Sequence, residues 1–127
     1  MRIKNRICLI GALIFYFNCG ASLGQDVKMP ESAHVQVGGG ESVVIYGQRN
    51  NKCKDKKAPE FGYALSGITR FPTNGELSDG GVGKRKSNRC KKKVPVRAVL
   101  YTPNPGFTGT DGVVFWNYDA VVITVSE

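Results

Sequence analysis

From residue 25 to the C-terminus, glycine or proline breaks the chain about every eight to twelve residues, and no apolar helical period is sustained across several turns. That punctuation excludes long helices and leaves room for short strands. Seven segments read as strands: residues 34–37, 42–47, 62–71, 75–78, 94–102, 112–118 and 120–126. Seven short strands of alternating character are the content of an antiparallel β-sandwich. The stretches "VGGGES", "PTNG" and "SDGGVG" are rich in residues that adopt positive φ cheaply, so connectors are expected there. The charge runs "RNNKCKDKK" and "GKRKSNRCKKK" are too polar to be buried and are expected as loops or edge-strand ends.

The first 24 residues have a different composition. Arg2, Lys4 and Arg6 precede the apolar run "ICLIGALIFYF", which is too short to span a bilayer, and small residues follow at Ser22 and Gly24. The pattern predicts a Sec-type signal peptide over 1–24, cut before Gln25. A single domain of residues 25–127 remains, with no transmembrane segment after cleavage, in the periplasm or outside a bacterial cell. Lipidation at Cys19 and an uncleaved anchor are the alternatives.

Export bears on the cysteines. Cys8 and Cys19 fall in the leader, and the remaining pair, Cys53 and Cys90, reads as a disulfide formed in an oxidising compartment. Metal binding would need more ligands than a cysteine pair and the lone His34, so neither metal nor cofactor is expected.

The segment "YTPNPGFTGTDGVVFWNYDAVVITV", 101–125, fixes the far end of the domain. Pro103 and Pro105 cannot donate to a ladder, so the chain must turn after Tyr101. Phe107, set between Gly106 and Gly109, has no strand to place it and reads as a loop aromatic folded over the open end of the core. Asp111 is placed to accept a local backbone N–H. Beyond it Val113 and Phe115 share an inward face, while Val114, Trp116 and Tyr118 point outward.

"PTNGELS" at 72–78, "VLYTPNPGFTGTDGVVF" at 99–115 and "AVVITV" at 120–125 resemble, in order and spacing, the C-terminal half of bacterial Ig-like and cadherin-like repeat domains. The resemblance covers about half of the mature chain. It implies an Ig-like β-sandwich that serves adhesion, spacing or ligand display, and it does not imply catalysis. The basic, cysteine-bearing segments have no counterpart in that pattern.

The whole chain carries 18 basic and 10 acidic residues; three of the basic ones and none of the acids lie in the leader, which leaves a mature net charge of +5. The excess is concentrated. Arg49, Lys52, Lys54, Lys56 and Lys57 flank Cys53; Lys84, Arg85, Lys86, Arg89, Lys91, Lys92 and Lys93 flank Cys90. Pairing the cysteines would merge both runs into one anion-binding patch with salt-sensitive attraction. The partner expected is an anionic polymer or acidic protein of the cell envelope. A solvated face that serves solubility is the plain alternative. Neither run contains an aromatic residue, which disfavours nucleic acid.

Val114, Trp116 and Tyr118 offer a second surface, on which a protein partner could dock as on an inhibitor or accessory subunit. The alternatives there are a covering N-terminal segment, or a bare structural spacer that binds nothing. No nucleophile–base arrangement, phosphate loop or spaced carboxylate pair stands out, so no enzyme is expected.

Overall fold

The structure, a computed structural model, describes residues 26–116 and 119–127. The expected leader with Cys8 and Cys19, its cut before Gln25, and Tyr118 lie outside the described residues.

Strands β1 (His34–Gly38), β3 (Ile68–Arg70), β6 (Gly109–Phe115) and β7 (Ala120–Ser126) form one sheet in the order β1-β7-β6-β3. Strands β2 (Val43–Arg49), β4 (Gly75–Ser87) and β5 (Lys92–Pro103) form the other, in the order β2-β5-β4. These sheets make an all-β sandwich, and the orders β2-β5-β4 and β3-β6-β7 are those of an immunoglobulin-type fold. The pairing of β1 with β7 is parallel, unlike the others. β1 and β2 lie in different sheets, so the link between them crosses layers and does not fold back as a hairpin.

The core follows the two-residue period of the strands. Val35 and Val37 of β1, Val113 and Phe115 of β6, and Val121, Ile123 and Val125 of β7 meet Ile45, Val99 and Tyr101 of the other sheet. β5 changes phase: its buried residues are Val94, Val96 and Ala98, then Val99, Tyr101 and Pro103. At that level β2 shifts register between Val44 and Tyr46, and β4 between Asp79 and Gly81. Such irregularities bend a sheet locally.

Two expected elements differ. Residues 62–71 are not one strand: Phe61–Ser66 is a short helix, α1, and only Ile68–Arg70 is extended. Phe61, Ala64 and Leu65 stand at the i, i+3, i+4 spacing of a helix and pack on the core, a pattern that outweighs the local Tyr63/Leu65 alternation. Nor is "SDGGVG" a connector. β4 continues through it to Ser87, thirteen residues in all. Its glycines permit close approach: a Cβ at Gly83 would stand 2.5 Å from the Val27 carbonyl oxygen and 2.7 Å from Met29 Cε. Val27 accordingly bridges to β4, donating its N–H to the Val82 carbonyl at 2.9 Å.

The proline- and glycine-rich end is closed by a polar lock. Asn104 to Phe107 forms a turn, with Gly106 at φ 83° and the Phe107 N–H donating to the Asn104 carbonyl at 3.1 Å. Phe107 is half-buried and packs on the core as expected. Asp111 Oδ1 accepts the backbone N–H of Gly112 at 2.8 Å and of Thr73 at 3.0 Å. Its Oδ2 accepts Asn74 N–H at 2.9 Å and the Tyr101 hydroxyl at 2.8 Å. Gly75 lies against the Tyr101 ring, where a Cβ would clash. The separated motifs "PTNG", "YTP" and "GTD" thus meet at one carboxylate.

Burial alone would raise the Asp111 pKa, but the hydrogen bonds it accepts together outweigh that and hold the carboxyl below its ordinary value. Burial, reinforced by the neighbouring Asp111 carboxylate, pushes the Tyr101 phenol well above the usual tyrosine range.

Candidate anion-binding site

Cys53 and Cys90 are joined, with Cα atoms 5.4 Å apart across a sequence separation of 37. The 50–60 loop after β2 is thereby fastened to the β4–β5 hairpin. Other ties hold the loop: Asn50 Nδ2 donates to the Lys57 carbonyl at 2.6 Å, and Arg97 Nε to the Pro59 carbonyl at 2.9 Å. Arg97 also pairs with Asp79 at 3.3 Å, on the same sheet. In the hairpin the buried Ser87 accepts twice, at Oγ from Cys90 N–H at 3.1 Å and at its carbonyl from Lys91 N–H at 2.6 Å. Lys91 takes φ 58°, a left-handed conformation uncommon for a lysine.

The twelve cations therefore stand on a braced platform. Lys84, Arg85 and Lys86 lie near the end of edge strand β4, Lys92 and Lys93 open β5, and Arg89 and Lys91 occupy the turn between. Lys52, Lys54, Lys56 and Lys57 project from the disulfide-tied loop, which Arg49 precedes at the end of β2. All are exposed except Arg49 and Arg85, which are half-buried. This matches the expectation of loops and edge-strand ends except at Lys92 and Lys93, which begin β5, the central strand of its sheet. Edge lysines also discourage edge-to-edge association, so Lys84 and Lys86 would be useful to the fold even without a ligand.

The two half-buried arginines are oriented by the protein. Arg85 Nε donates to the Gly47 carbonyl at 2.7 Å, and its guanidinium lies 5.5 Å from the centre of the Tyr46 ring. That ring packs in turn on Phe115, centroid to centroid 4.3 Å. Arg49 Nη1 donates to the Asn50 carbonyl at 2.7 Å. Gly47 leaves room for this arrangement, since a Cβ there would lie 2.5 Å from Met29 Sδ and 2.7 Å from Val96 Cγ2.

The outward strand face divides. Val114 is half-buried and pairs with Arg70 of β3, whereas Trp116, just beyond β6, is 71% exposed. The Trp116 backbone N–H donates to the Gly67 carbonyl at 2.9 Å. The N-terminal segment reaches its neighbourhood without covering it: Met29 to Ala33 and Trp116 line the same cleft of about 550 Å3.

Tyr63, Gln48 and Glu31 also line that cleft, and sequence reading passed over all three. The available signal was a glycine inside each of two strands, Gly47 and Gly83, which marks close approach by another segment. His34 is exposed at the start of β1. Among the described residues no group of three or more His, Cys, Asp or Glu could hold a metal, and no helix is long and apolar enough to cross a membrane. Comparison with protein-family models, curated proteins and solved structures finds no match for this chain.

Proposed function

We propose that this chain is an exported, non-catalytic Ig-like binding module, akin to bacterial Ig-like and cadherin-like repeats, that captures an anionic component of the cell envelope through the disulfide-centred basic patch. The observation that carries the reading is the Cys53–Cys90 bond, which brings two basic runs onto one braced surface. Like charge gathered around a covalent link is mutually repulsive, and dispersed charge would serve solubility equally well. Capture is electrostatic and involves no turnover. Retention on an immobilised anionic polymer such as heparin is expected to fall steeply with salt. Retention unchanged up to about half-molar salt, where screening shortens the Debye length to roughly 4 Å, discards the reading.

The exposure of Trp116 favours a second reading, an inhibitor or accessory subunit that docks on one protein through Val114, Trp116 and Tyr118. A stoichiometric, salt-resistant partner recovered from envelope extract would select it over the first.

A further inference from the structure

The cations around the cysteines and the aromatic end of β6 are far apart in sequence, yet both contribute to the cleft beside Met29. Arg49, Arg85 and Arg89 enter it from β2, β4 and their sheet's hairpin, Trp116 from the end of β6, and Tyr63 from α1. Its volume, about 550 Å3, is that of a small-molecule site.

The lining sets three requirements on an occupant. The first is a compact anionic group. Arg85 is fixed through Nε on the Gly47 carbonyl at 2.7 Å, with a long Nη1 contact to the Lys86 carbonyl at 3.5 Å, which leaves guanidinium N–H groups to face a carboxylate or phosphate. The second is a flat, weakly polar face, because Trp116 and Tyr63 are 71% and 45% exposed and offer ring surfaces. The third is a set of hydrogen-bond donors. Glu31 brings a carboxylate to the lining, and Gln48 and Asn50 each spend one amide N–H on the carbonyls of Arg49 and Lys57 and add their amide oxygens as acceptors. Gln48 Oε1 and Trp116 Cδ1 lie 3.7 and 3.5 Å from the Cβ position of Gly67, so an acceptor adjoins the indole.

Single-stranded nucleic acid meets the first two requirements, since the fold supplies the aromatics that the basic runs lack. It meets the third less well, because its donors lie on the base edges and its phosphodiester backbone, which would run along the arginines, carries none beyond a ribose hydroxyl. A polyglutamate-like peptide has charge but no ring face. An acidic sugar meets all three, with a carboxylate, an apolar pyranose face and ring hydroxyls. We propose that the cleft binds a short stretch of acidic polysaccharide, about two uronate-type rings. The inference rests on the anion-binding reading and names the class of anion.

Trp116 is the single tryptophan of the chain, so its emission reports on the cleft. Trigalacturonate, tripolyphosphate, uncharged galactotriose, hexaglutamate and a short oligothymidylate are titrated at low salt into the intact protein and into Trp116→Ala, an exposed site whose truncation leaves the core untouched. Binding by the variant is followed calorimetrically. Trigalacturonate is expected to shift the emission and to bind about tenfold more tightly than tripolyphosphate or galactotriose. Trp116→Ala should lose that advantage while keeping its tripolyphosphate affinity. Equal binding of trigalacturonate and tripolyphosphate without an emission change overturns the sugar site and leaves anion capture standing. Tightest binding by hexaglutamate or oligothymidylate, with an emission change, reassigns the cleft and overturns the proposal. If no anion binds at all, both readings fall together.

Discussion

The two ends of the sandwich handle charge in opposite ways, and β6 runs between them. Where it begins, Asp111 is buried and accepts four hydrogen bonds, from three backbone N–H groups and the Tyr101 hydroxyl. Just past its other end, Trp116 shares a cleft with Arg49, Arg85 and Arg89, on the face where the basic runs gather. One end commits its polar groups to holding the fold. The other braces its cations with a disulfide, backbone carbonyls and an aromatic ring, and leaves their outer faces to solvent. Substitutions at the first end should therefore change stability and spare binding, and those at the second should do the reverse, with the disulfide as the deliberate exception.

That exception carries the largest expected effect. Closing a loop of 37 residues lowers the entropy of the unfolded chain, and replacing Cys53 and Cys90 together by serine should cost about 4 kcal/mol, read from the urea midpoint. The same double variant should also elute from an anionic column at lower salt, because the 50–60 loop and the hairpin separate. Loss of stability with unchanged elution would show that the bond serves the fold alone.

Asp111→Asn comes next. The variant keeps the shape of the side chain but removes the charge and turns one acceptor into a donor facing N–H and O–H groups. About 3 kcal/mol of stability should be lost, with elution unchanged. The wild-type acid limb has the same origin. Because the Asp111 pKa is lowered in the folded state, its contribution is complete above the unfolded carboxylate pKa of about 3.9 and is lost as pH falls through the folded value. Asp111→Asn should therefore flatten the decline of stability below about pH 4.

How far the sequence could anticipate this division depends on the range of the contacts. Alternation placed Val113 and Phe115 inside and Trp116 outside correctly, because a strand's side chains obey a local two-residue period. The cysteine pairing and the Phe107 plug were legible too, since each had a single economical arrangement. Asp111 was expected to bond only its own turn, and it does bond Gly112; its partners Thr73 and Asn74 lie 38 and 37 residues away, beyond any local rule. The meeting of Arg85 with Tyr46, and of both with the N-terminal segment, was hidden for the same reason. Local pattern misled twice. In "SDGGVG" glycine suggested a connector where it serves an irregular strand, and in "FGYALSG" the Tyr63/Leu65 alternation hid a turn of helix.

A smaller effect tests the lock from the phenol side. Tyr101→Phe leaves Asp111 with its backbone donors and should cost about 1 to 1.5 kcal/mol. The alkaline behaviour carries the same information with the opposite sign. A raised Tyr101 pKa means that this residue favours the fold below the unfolded phenol pKa of about 10 and ceases to do so as pH rises through the folded value. In a spectrophotometric titration of the folded protein, the Tyr101 phenol should ionise only well above the usual tyrosine range. Stability above about pH 10 should decline less steeply in Tyr101→Phe than in the wild type. Ionisation of Tyr101 within the usual tyrosine range in the intact fold would show the lock to be open to solvent.

The smallest effect is expected to have two signs at once. Lys91 holds φ 58° in the hairpin, where a side chain costs about 1 to 2 kcal/mol relative to glycine, while glycine brings its own entropic cost of about 0.5 to 1 kcal/mol. Lys91→Gly should therefore stabilise the domain by about 0.5 kcal/mol, seen as a small rise in the urea midpoint. The variant also removes one cation beside Cys90, so it should elute from an anionic column at lower salt than the wild type. A strained lysine at the tip of a braced turn is what a surface shaped for capture would keep and a surface shaped for stability alone would discard. A more stable variant that elutes with the wild type would place Lys91 outside the capture surface and shrink that surface toward Arg49, Arg85 and Arg89.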